Sequence, residues 1–170
     1  MLILMLERFL SLRGDAEASV FATCPETGVR LRGRFDRLAK NHALAGDLKS
    51  VGRAGGANES DFLRTVFSLG YDVQAAQYKD TLLYATGREV VFVFIVVELT
   101  APHLVNVIRL SPQYLEMGRA KSMEARRRYK HGLETGEWPG YPCGIKEVEP
   151  PMYAVYDFQD NYEDSGEMTF

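Results

Sequence analysis

Three residues of this chain have types and spacing that suit chemistry: Asp36, Asp47 and Lys49. Asp47 and Lys49 are two apart in a segment that reads as a strand, so both side chains leave one face. Asp36 stands eleven residues earlier, on the preceding strand. A tight turn at Asn41 and His42 brings Asp36 and Asp47 side by side across the ladder. Two carboxylates that close repel each other unless a cation lies between them. Their hard oxygens suit Mg²⁺ or Mn²⁺ and not zinc. The carbonyl of Leu48 is a further candidate ligand. Lys49 then sits beside a metal-bound water, where an ammonium group orients it and balances charge on a phosphate. The chemistry expected is phosphodiester hydrolysis, with Asp36, Asp47 and Lys49 as its catalytic residues.

A lone D-x-K is common, and its bland reading is a solvated strand face. The order G-x-x-D, D-x-K, then Q-x-x-x-Y is more specific. Gln74 and Tyr78 are four apart on a predicted helix and share a face. An amide and a phenol there could bracket the acids or touch a DNA backbone. On spacing alone, the favoured reading is the structural one, with Tyr78 packing in the core and Gln74 facing water.

The elements that must position these residues follow from periodicity. Residues 17–23 are strand formers, and "PETG" (25–28) is a turn. Residues 29–39 alternate, with Val29, Leu31 and Phe35 one way and Arg30, Arg32, Arg34 and Asp36 the other. Residues 43–51 complete a three-stranded antiparallel meander. A glycine-rich loop (52–60) follows, with Asn58 or Ser60 placed to cap a helix over 61–69 that Gly70 breaks. A second helix spans 72–87 and ends at Gly87. The β-branched and aromatic run at 88–99 suits a central strand buried on both faces, and 103–111 is a further strand. Ser111 and Pro112 open a long helix to about Thr135, which Gly118 threatens to interrupt. The fold expected is mixed α/β, a central sheet with helices against it.

At 170 residues the chain reads as one domain over 1–146 with an acidic tail at 147–170. The net charge is −3, but the tail holds seven acids and no Lys or Arg, so the rest carries +4. A basic body is weakly compatible with a polyanion partner. Cys24 and Cys143 form no CxxC pair and point to a reducing compartment. "MLILMLERFL" is interrupted by charge too soon for a membrane span and lacks a preceding basic segment. It reads as part of an amphipathic helix, and the expectation is a cytoplasmic protein with no membrane partner.

"GRFD" (33–36), "GDLKS" (46–50) and "QAAQY" (74–78), in that order, resemble the signature of the PD-(D/E)xK nucleases. The resemblance is closest to the exonuclease VIII (RecE-like) branch and covers roughly residues 17–145, including "SLGYDVQAAQY" and "GEWPGY" (136–141). It implies a restriction-endonuclease-like sheet, with Asp36 and Asp47 as metal ligands and Lys49 as the catalytic lysine. Gln74 and Tyr78 fall on the branch's Q-x-x-x-Y motif. The activity implied is Mg²⁺-dependent digestion of linear double-stranded DNA from 5′ ends for recombination. A RecT-like single-strand annealing partner and a homo-oligomeric ring are implied as well. The branch usually carries an upstream helix with a histidine near the metal. The residues before the first strand here contain none, and His42, His103 and His131 do not take that role. A nuclease-derived DNA-binding or assembly protein that no longer cuts is therefore the second expectation.

Two basic features compete for DNA. Arg30, Arg32 and Arg34 share the expected face of Asp36 and could guide a backbone to the metal. Arg119, Lys121, Arg126, Arg127, Arg128 and Lys130 on the long helix could contact phosphates or simply face water. The loop "GRAGGANES" lacks the lysine and Ser/Thr of a phosphate-binding P-loop.

Overall fold

The computed structural model describes residue 11 and residues 13–163. The helix expected of the opening ten residues lies outside them. The chain divides into two compact units, Met1–Glu137 and Trp138–Phe170.

The first unit is built on one sheet of five strands in sequence order: β1 (Gly14–Thr23), β2 (Arg30–Ala39), β3 (Leu44–Val51), β4 (Val91–Glu98) and β5 (Val105–Ile108). Neighbours are antiparallel except β3 and β4, so the sheet is mixed. The β1–β2 turn closes where Gly28 adopts φ +72° and donates to the Cys24 carbonyl at 2.8 Å. The β2–β3 register, Arg37 opposite Gly46 and Leu38 opposite Ala45, centres its turn on Asn41 and His42.

Two parallel neighbours need a crossover. Here it is α1 (Glu59–Leu69) and α2 (Tyr71–Thr86). Of the two candidate caps, Asn58 is the one used, accepting from the Asp61 N–H at 3.0 Å. Gly70 and Gly87 end the two helices in the left-handed region, which a side chain there would disfavour. Both helices pack on one face of the sheet. Phe62 and Val66 from α1 and Ala75 and Leu82 from α2 meet Phe35, Leu38, Ala45, Phe92, Phe94 and Val96. Val93 and Ile95 of β4 instead join a second cluster with Leu44, Val97, Val105 and Val107. The expected double burial of this strand is thus met.

Ser111 and Pro112 do open the long helix α3 (Pro112–Thr135). Gly118 does not interrupt it. A Cβ at Gly118 would stand 2.1 Å from the Asp72 carbonyl oxygen, so the glycine is what lets α3 press against α2. In the second unit, α4 (Met152–Phe158) runs into a π-helical turn, Gln159–Glu163, where Phe158 stacks on Tyr162 at 5.5 Å. No described helix is long and apolar enough to cross a membrane.

Candidate active site

The alternation of β2 changes phase in the middle of the strand. Leu31, Gly33 and Phe35 are buried, and the next buried position is Leu38, three residues on. The slip falls at Asp36 and Arg37. Across the ladder, Glu17 has φ +53°, and the Glu17–Asp36 rung is missing from an otherwise constant β1–β2 register. Such irregularities re-aim a side chain and end local pairing. That is their effect here. The β2–β3 rungs stop at Arg37–Gly46, and the Asp36 carboxylate fills the gap by accepting the Leu48 N–H at 2.7 Å.

Ala45 of β3 is in the core, and Asp47 and Lys49 leave the sheet on the same face, toward α2. Asp47 is 4% exposed. Its Oδ1 accepts from Gln74 Nε2 at 2.8 Å, and its Oδ2 lies 2.6 Å from Lys49 Nζ. That second contact is a short ion pair. Burial pushes the Asp47 carboxyl above its ordinary range. Lys49 and Gln74 pull it back, while the nearby Asp36 charge pushes it further up. Lys49 itself lies 4.3 Å from the centre of the Tyr71 ring and 5.8 Å from that of Phe94. An ammonium over an aromatic face is favourably placed.

The structure therefore brings together Asp36, Asp47, Lys49, the Leu48 backbone and Gln74. Leu48 contributes its N–H to Asp36, and its side chain is exposed. Gln74 touches the acid instead of facing water. Tyr78, four residues on, is partly buried and packs against the core, its ring 5.0 Å from Phe35 and 5.8 Å from Phe92. Tyr71 was not singled out from sequence. Its signal is the three-residue spacing to Gln74, which puts both on one helical face.

The basic features are arranged differently from expectation. Arg30, Arg32 and Arg34 are exposed and alternate with Leu31, Gly33 and Phe35. Phe35 points to α2, so the arginines leave the sheet on the opposite face from Asp47 and Lys49. The phase slip at Asp36–Arg37 is the reason that a shared face, inferred from strict alternation, does not hold. Arg34 is also paired with Glu17 at 2.9 Å. On α3, all six basic residues face acids of this same chain: Arg119 and Arg126 meet Asp80, Lys121 meets Asp72, Arg127 meets Glu26, Arg128 meets Glu124 and Lys130 meets Glu134. Each of these cations has an acidic partner within the chain, the most buried being Arg126 on Asp80.

Among the described residues, no group of three or more His, Cys, Asp or Glu side chains could hold a metal ion. The acid pair nonetheless fits a divalent cation. Mg²⁺ commonly takes only one or two carboxylates, backbone oxygen and water. Two carboxylates, Asp47 and Asp36, stand near one another, with the Lys49 ammonium at Asp47.

A family model described as a PDDEXK-like domain of unknown function (DUF3799) matches residues 5–149. Among solved structures, the chain is similar to a protein from Eubacterium rectale provisionally named an exonuclease. The TM-score is 0.61 at 15% identity, and the match covers 89% of this chain and 59% of that one. This chain thus spans less than two thirds of that neighbour. A second similar structure, SSO0001, gives a TM-score of 0.37 at 14% identity over 73% of this chain and 55% of that one. No curated protein matches. The mixed sheet flanked by helices is the restriction-endonuclease-like fold.

Proposed function

Since the chain belongs to the PDDEXK-like family DUF3799, within the PD-(D/E)xK superfamily, we propose that it is a metal-dependent deoxyribonuclease. The observation that supports this most is Asp47, buried between Lys49 and Gln74 with the Asp36 charge alongside. In this reading, Asp36, Asp47 and the Leu48 carbonyl would hold Mg²⁺ or Mn²⁺. When bound, the ion would supply a Lewis acid for the phosphate and make a bound water easier to deprotonate.

The chain's own residues do the rest. Gln74 fixes one oxygen of Asp47 and so sets the plane of the carboxylate. Asp36 fixes the Leu48 main chain. Lys49 keeps a positive charge at the acid pair, where it orients the attacking water and meets charge developing on the phosphate. The Tyr71 ring holds that ammonium in place.

The finer reading is an exonuclease acting on linear double-stranded DNA, from 5′ ends, in recombination. It includes a RecT-like annealing partner, a possible ring of identical subunits and a cytoplasmic location. It rests on the resemblance to the exonuclease VIII branch. In it, residues 1–146 form the nuclease domain and 147–170 an acidic appendage. A second reading, a DNA-binding relative that no longer cuts, is favoured by one feature. Only two carboxylates meet among the described residues, with no histidine beside them.

The test is incubation of purified protein with linear duplex and Mg²⁺, beside Asp47→Ala. Cleavage by the wild type that EDTA and the substitution both abolish supports the nuclease. Duplex binding without cleavage selects the second reading. Equal, EDTA-insensitive cleavage by both proteins would remove the enzyme altogether.

A further inference from the structure

A cavity of about 240 Å³ opens elsewhere on the first unit, its wall including Lys79, Glu89, Arg109, Pro112, Leu115 and Arg119. The acid pair does not line it. Val90, whose carbonyl accepts from Lys79 Nζ, precedes β4. It lies four residues before Phe94, the ladder partner of Asp47. That is about 13 Å along the strand.

The wall is over-supplied with positive charge. Three cations face one carboxylate, Glu89. Arg119 leans on Asp80 at 2.9 Å, but Asp80 is also shared with Arg126 at 3.3 Å. Lys79, Arg109, Arg119 and Arg126 thus stand against Asp80 and Glu89, a surplus of two. Arg109 has no ion pair among the described residues. Pro112 and Leu115 bring the first turn of α3 to the wall, and the start of a 24-residue helix adds partial positive charge.

We propose that this cavity binds a phosphate group, held by Arg109 and Arg119 together with the half-buried Lys79. A phosphate dianion matches the surplus in charge, and its oxygens match the planar donor forks of two guanidinium groups. The present state of Lys79 agrees. Burial makes its ammonium easier to deprotonate, and Arg109 and Arg119 add to this against Glu89 and Asp80. A bound anion relieves that tension. The phosphate could be free, or the terminal group of a mononucleotide.

The probe is inorganic phosphate, titrated against chloride at matched ionic strength, with thermal melting and amide NMR shifts as readouts. Phosphate raises the melting midpoint saturably, and the shifts gather at Lys79, Arg109 and Leu115. Arg109→Gln weakens the binding about tenfold or more. Its exposed, unpaired position leaves the fold intact. A 5′-mononucleotide that binds more tightly than phosphate identifies the nucleotide as the source; equal binding identifies the free ion. No saturable difference from chloride, or unchanged binding by Arg109→Gln, overturns the site. So does binding by a short duplex but by neither small phosphate, which would make the cavity an ordinary backbone contact. Cleavage is never read, so the outcome is separate from the nuclease assignment.

Discussion

Asp47 and Asp80 are both buried aspartates, 4% and 1% exposed, in opposite electrostatic situations. Asp80, on α2, receives two guanidinium groups from α3. Asp72, one helical end away, receives Lys121 at 2.7 Å. Asp47 receives one ammonium group and one amide, and its other near neighbour is the carboxylate of Asp36. The α2–α3 seam compensates its buried charge from within the chain. The acid pair between β2 and β3 leaves charge for something else to balance. In the proposed reading the same residue type is a fastening in one place and a binding group in the other, and what separates them is the second carboxylate, Asp36, beside Asp47.

Substituting each region separately should divide activity from stability. The largest effect is expected at the acid pair. Asp47→Ala should lower duplex cleavage about a thousandfold or more, about 4 kcal/mol in the barrier, while the protein still melts cooperatively. Lys49→Ala should cost a similar factor in rate yet leave Mg²⁺ binding, followed by calorimetry, largely intact. Loss of metal binding in Lys49→Ala would mean that the lysine positions Asp47 and does not act on the phosphate.

The seam should respond in the opposite way. Arg126→Met strips a cation that is 3% exposed from Asp80, leaving only the more exposed Arg119. Breaking a buried pair from one side costs about 3 kcal/mol, seen in denaturant unfolding, with cleavage per folded molecule unchanged. Gly118→Ala should cost a comparable amount, because its Cβ would meet backbone and not a side chain that can move aside. Stable variants at either position would show that the two helices sit less closely than described.

These two regions were not equally legible in the sequence. The hairpin was: a turn at Asn41 and His42 sets the β2–β3 register, and the observed rungs agree. So were the Ser111–Pro112 start of α3 and the doubly buried β4, because each rests on local propensity or a run of one residue class. The phase slip at Asp36 was not, because it depends on the backbone of Glu17 in a neighbouring strand. Nor was the use of the α3 cations. Their partners Asp72 and Asp80 lie 49 and 39 to 46 residues away in sequence, so a basic helix looks the same whether it meets DNA or its own fold. Gln74 and Tyr78 show the limit most simply. The spacing put both on one helix, but only the three-dimensional packing gives one to Asp47 and the other to the core.

A smaller effect, of opposite sign, is expected from Asp47→Asn. The folded carboxyl holds its proton more tightly than the unfolded one. Between the ordinary carboxylate range and the raised value, the native state therefore binds more protons, and stability falls as pH rises through that window. Above it the penalty is complete. The asparagine keeps an acceptor for Gln74 and carries no charge at any pH. It should be more stable than the wild type near neutral pH by on the order of 1 kcal/mol, as is common when a functional group is relieved. The advantage should vanish in acid. Saturating Mg²⁺ should raise the melting temperature of the wild type only.

The smallest effect is expected from Tyr78→Phe, which also asks whether the second half of Q-x-x-x-Y is chemical. The Tyr78 ring packs between Phe35 and Phe92, and the nearest approach of a Cβ at Gly33 would include it at 3.5 Å. Phenylalanine keeps that ring and its contacts, so unfolding free energy should change by less than about 1 kcal/mol. If the hydroxyl has no part in catalysis, cleavage should stay within about threefold of wild type, the reach of a small packing adjustment. A loss of a hundredfold at unchanged stability would give Tyr78 a direct role. The division drawn between its position against the core and the acid-facing Gln74 would then have to be redrawn along the whole inner face of α2.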